Sequence, residues 1–81
     1  MNVERQKYEA DLVARQVEAK DLEYKITSLR DAIRDQLYPL TPVRDLRLSV
    51  VAALAAEAEE LQEKYLALLG QIEALEMVLG R

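Results

Sequence analysis

The chain's only two prolines, Pro39 and Pro42, stand within four residues of each other near its midpoint, in Tyr38-Pro39-Leu40-Thr41-Pro42. Proline disfavours helical geometry in the residue before it and cannot donate the helical hydrogen bond, so a first helix must stop near Leu37. Pro42 suits the opening turn of a second helix, with Thr41 as its N-cap and Asp45 adding negative charge there. Gly80 stands where a helix stop is expected, with Arg81 as a cation at that end. The expectation is helix 1 over residues 3–37, a turn over 38–42 and helix 2 over 43–79, in one domain spanning 1–81. Each helix then holds about 35 residues and runs roughly 50 Å.

Periodicity strengthens this reading. Val51, Leu54, Ala58, Leu61, Tyr65, Leu68, Ile72, Leu75 and Leu79 alternate steps of three and four without a break, which is the a/d seam of a coiled coil. The flanking Glu57, Glu59, Glu60, Glu63, Glu73 and Glu76 read as a solvated face, with Glu60 and Lys64 placed for an i,i+4 pair. In the first half Tyr8, Leu12, Ala19, Leu22, Ile26, Leu29, Ile33 and Leu37 form a matching stripe. Arg15 and Gln36 interrupt it, and long polar side chains there can lay their stems along the seam. Arg15 could also pair with an acid on a partner chain.

Folding back at the prolines would place Ile33 near Leu48, Ile26 near Leu54, Leu22 near Ala58, Leu12 near Leu68 and Tyr8 near Ile72. An all-α fold follows, an antiparallel two-helix coiled-coil hairpin. An open rod through the prolines would also satisfy much of the pattern, but the matched seam lengths favour the hairpin. Composition agrees: 51% of residues are apolar, the aromatics are four tyrosines, and two glycines and two prolines are too few for a multi-turn β sandwich.

Helix 1 has more apolar surface than one neighbour can cover. Val3, Ala10, Val13, Val17 and Tyr24 recur at spacings of seven, three, four and seven, centred opposite the first stripe. On helix 2 Leu48, Ala55, Leu66, Leu69 and Met77 widen the apolar arc. A two-helix hairpin buries only one side of each helix, so a homo-oligomer is expected, favouring a dimer that forms a four-helix bundle. Val3, Ala10, Val13, Val17 and Tyr24 are the expected protein interface, and aspartate at Val13 and Val17 should reduce the assembly to a smaller species.

Missing residue types narrow the chemistry. With no cysteine and no histidine, the chain lacks a thiolate nucleophile, a disulfide, the usual general base and the commonest metal ligand. Ser28 and Ser49 have no imidazole partner, Gly70 and Gly80 form no phosphate loop, and Glu57, Glu60 and Glu73 make a poor metal set without histidine. No catalysis, no cofactor and no metal are expected. Net charge is −4, and residues 51–81 carry six acids against two bases, which disfavours nucleic-acid binding. Arg30, Arg34, Arg44 and Arg47 cluster near the turn, but Asp31, Asp35 and Asp45 lie among them, so an ion-pair network is expected there. No stretch approaches the roughly 20 apolar residues of a membrane span. Met1-Asn2-Val3-Glu4-Arg5 lacks the parts of a signal peptide, so a cytoplasmic setting with no membrane partner is expected.

Particular segments resemble two families. Arg47-Leu48-Ser49-Val50-Val51-Ala52-Ala53-Leu54 and the Leu/Glu helix after it are similar to the entry into the coiled coil of the ZapA cell-division family, whose globular N-terminal part has no counterpart here. Tyr8-Glu9-Ala10-Asp11-Leu12 and Leu29-Arg30-Asp31-Ala32-Ile33-Arg34-Asp35 look like short helical proteins of Mu-like prophages. Neither resemblance supplies a functional residue. The expected function is a non-catalytic assembly or adaptor protein acting through helix packing. The alternative is a small acidic chaperone for a helical client, which resembles the type III secretion needle co-chaperones in size and hairpin form.

Overall fold

The structure is a computed structural model that describes residues 3–81, so Met1 and Asn2 of the leader reading lie outside the described residues. Two long helices, α1 (Val3–Gln36) and α2 (Leu48–Val78), pack against each other as an all-α hairpin. Between them lies a short 3₁₀ turn at Val43–Asp45.

Seam positions are buried where the heptad pattern puts them. All nine positions of the second stripe, from Val51 to Leu79, are buried or half-buried, and Glu76 is the only other such residue in α2. On α1 the seam buries Leu12, Ala19 and Leu22 and half-buries Ile26, Leu29 and Ile33, while Tyr8 and Leu37 at its ends stay exposed. Arg15 lies along the seam as a half-buried side chain: its Nε donates to Asp11 Oδ1 at 3.1 Å on its own helix, and its guanidinium also donates to Gln71 of α2.

The connection departs from the five-residue turn expected. Leu37 N–H closes α1 on the carbonyls of Ile33 and Arg34, and Thr41 N–H bonds the Tyr38 carbonyl at 3.0 Å. Pro39 thus occupies the second position of a four-residue turn, where its fixed φ is favourable. Pro42 takes ψ 146°, an extended value, so Thr41 does not cap a helix beginning there. The 3₁₀ turn ends at Leu46, also extended at ψ 134°, and α2 starts at Leu48 with Arg47 as an N-cap that makes no side-chain bond. The chain turns Leu46 to a half-buried position and leaves Val43 85% exposed, so burial of a leucine outweighs the local signal for an earlier helix.

The longer connection moves the register. Leu68 packs with Ala19 and Leu22, not Leu12; Tyr8 lies beside Val78 and Leu79, not Ile72; Ile33 lies beside Ala55 and Ala58, not Leu48. The slip is close to one heptad, so the same seam positions meet one repeat further along, a shift of about 10 Å. Cysteines at Arg15 and Gln71 should therefore be joined within one chain by a short bifunctional reagent, whereas cysteines at Arg15 and Lys64 should not. Intrachain joining of the second pair alone would place the register a heptad away.

Open ends are tied by several contacts. The Arg5 guanidinium donates to the Leu79 carbonyl at 3.2 Å, and Arg81 pairs with Glu9 at 3.6 Å. At the α2 terminus Arg81 N–H bonds Glu76 O at 2.8 Å and Gly80 N–H bonds Met77 O at 3.1 Å, with Gly80 at φ +73°. This is the Schellman arrangement, which needs a left-handed residue at the Gly80 position. Gly80→Ala should cost about 1 kcal/mol, confined to the last turn. Hydrogen exchange of the Gly80 and Arg81 positions is the readout, and unchanged protection there would contradict the role.

The Cα trace measures 66 × 15 × 15 Å. Two helices side by side account for about 14 Å in one direction. A flat pair would be much thinner in the other, so the helices coil about each other or bow along their length.

Candidate protein interface

Three apolar surfaces remain open on the hairpin. The first is the stripe on the outer side of α1: Val3 is 58% exposed, Val13 57%, Val17 64% and Tyr24 74%, with Ala10 also exposed. All five residues lie on one helix and none is covered by α2, which is what a face turned away from the seam requires.

The second surface is a trench between the helices that the sequence showed only in part, as the widened arc of α2. Three depressions of about 320, 270 and 460 Å³ lie along it. They fall at or below the lower half of the size range of small-molecule sites. The middle one shares Ile26, Arg30 and Gln62 with the first and Glu23 and Tyr65 with the third, so the three form one open furrow running from Gln16 to Ile33 on α1, about 26 Å. A furrow of that length with an apolar floor has the footprint of a helix. Its floor includes Ala19, Ile26, Ala58 and Tyr65, and Leu69 borders it. Leu66, 57% exposed, lines none of the three depressions but lies three residues from Leu69, on the adjoining part of the α2 face.

The third surface is the tip, where Leu37, Tyr38, Leu40, Val43 and Leu48 are all exposed. The connection holds no Gly, Asn or Ser, and its first part, Leu37 to Val43, is mostly apolar, a composition legible in the sequence.

Charges sit mostly on the surface. Asp31 lies near Arg30 and Arg34 at 3.8 and 3.7 Å, and Asp35 near Arg34 at 4.0 Å. Among the described residues Arg44 and Arg47 join no ion pair, so the expected network covers only the α1 side of the turn. Glu60 and Lys64 form no ion pair either; both are exposed, and hydration competes with so weak a contact. The i,i+4 pairs that do form are Arg5–Glu9, Arg15–Asp11 and Lys25–Asp21, all on α1. No group of three acidic side chains among the described residues could hold a metal ion, and no helix is long and apolar enough to cross a membrane.

No family model, curated protein or solved structure matches the chain in comparison with known proteins.

Proposed function

We propose that the protein is a non-catalytic assembly or adaptor module that pairs with a second copy of itself and offers a further helix face to another protein. The observation that carries this is surface area. The chain exposes 6364 Å², whereas a compact monomer of its 9.2 kDa would expose about 4,900 Å². The excess, ~1,400 Å², exceeds the roughly 800 Å² per partner of a standard interface. Among the described residues only Leu12, Ala19, Leu22, Leu68 and Leu79 are buried hydrophobics, so the isolated hairpin has little core of its own.

In this proposal Val3, Ala10, Val13, Val17 and Tyr24 form a protein-packing face, and no cofactor, nucleic acid or membrane takes part. A cytoplasmic setting belongs to the proposal, since nothing in a cysteine-free chain depends on oxidation. The experiment is thermal unfolding across a hundredfold range of protein concentration. Self-association couples folding to protomer concentration, so the Tm should rise with concentration and change little with salt. A Tm that is low and independent of concentration, and that rises only on adding a client, would favour the chaperone reading instead.

A further inference from the structure

We infer that the trench is the self-association face, and that two hairpins pack there side by side in parallel, each α1 lying on the partner's α2. This rests on the proposed self-association and names its surface.

The rows bordering the trench carry the inference. On α2, Leu48, Ala52, Ala55, Glu59, Gln62, Leu66, Leu69 and Glu73 follow steps of four and three, a second heptad row beside the seam. Its only charges are the acids Glu59 and Glu73. On α1 the facing row is Gln16, Lys20, Glu23, Thr27, Arg30 and Arg34, three bases against one acid. A second copy can cover the trench in two ways. If α2 lies on the partner's α2, acidic row meets acidic row and like charges oppose each other. If α1 lies on the partner's α2, Lys20, Arg30 and Arg34 meet an acidic row, so charge complementarity selects this second arrangement.

A two-fold axis along the bundle produces it. Each helix then has antiparallel neighbours on both sides, the usual geometry of a four-helix bundle. Arg30 and Glu59 border the same stretch of trench, so in this parallel pairing each Arg30 comes beside the partner's Glu59, once on each flank. The Arg30 side chain is exposed and its own pairing is a loose one with Asp31 at 3.8 Å, which competes weakly with that contact. The stripe from Val3 to Tyr24, which the sequence alone put in the self-association interface, stays outside the bundle in this arrangement, open to a different protein, so aspartate at Val13 and Val17 leaves the dimer intact.

Reversing the two charges in separate chains tests the arrangement. Arg30→Glu alone places acid against acid on both flanks, and Glu59→Arg alone places base against base. Each variant should keep its helical circular dichroism and dimerise about tenfold more weakly than the parent. Mixed in equal amounts, the two should form a heterodimer at parental affinity, because both flanks are then complementary. Restored affinity in the mixture, with Val13→Asp/Val17→Asp still dimeric, supports the inference. Parental affinity in each single variant overturns it while leaving self-association standing, as does a monomeric Val13→Asp/Val17→Asp protein. Weakened variants that the mixture fails to rescue overturn the parallel pairing. A parent chain that is monomeric at tens of micromolar overturns the self-association reading itself.

Discussion

Leu12→Ala will cost 2–5 kcal/mol of folding stability. Leu12 is 0% exposed and is the largest fully buried side chain of the hairpin. Its truncation removes three heavy atoms from the seam, and the two packed helices leave little slack to close the gap. A single core in a chain of this size rarely supplies more than about 5 kcal/mol, so the loss takes most of the stability a lone hairpin has. Urea unfolding followed by helical circular dichroism gives the value. Leu40→Ala, at a tip position 78% exposed, should change it by less than about 0.5 kcal/mol. Equal effects from the two variants would mean that the seam is not where stability resides.

The second large effect is expected at the trench bank. Leu66 is 57% and Leu69 40% exposed in the single hairpin, so aspartate at both positions leaves the chain able to fold. In the assembly the same two carboxylates enter a desolvated contact, and burying a charge without a partner costs several kcal/mol. Dimer affinity should fall at least a hundredfold, about 3 kcal/mol, while helicity of the concentrated protein persists. Sedimentation velocity at matched concentrations separates the two species. Glu57→Lys, away from the trench row, serves as the control and should leave the mass unchanged.

The contrast between what the sequence disclosed and what it did not has a physical cause. Helix type and seam membership follow from local rules, and Val51 through Leu79 obey them position by position. Register does not, because a heptad seam slid by seven residues presents the same residue types to its neighbour. Only the connection distinguishes the two alignments, and its length depends on Leu46 turning inward, a tertiary preference invisible to a reading of Thr41 and Pro42 alone. Gly80 was legible because a lone glycine past a helix end has a specific backbone task. The trench was half legible: Leu48, Ala55, Leu66 and Leu69 show on α2, but its other bank is the polar row from Gln16 to Arg34, which hydrophobic periodicity ignores. The exposed stripe at Val13 and Val17 was found from sequence because it needs only α1 and its 100° step.

Self-association is the claim on which the rest depends, and the molecular mass in solution tests it most directly. Sedimentation equilibrium of the full chain, loaded from about 1 to 100 μM to span the usual range of dimer affinities, should approach twice 9.2 kDa and hold that mass in added salt. Surface ion pairs would be screened under those conditions, but apolar burial would not. A mass that stays at 9.2 kDa across the whole range would contradict it.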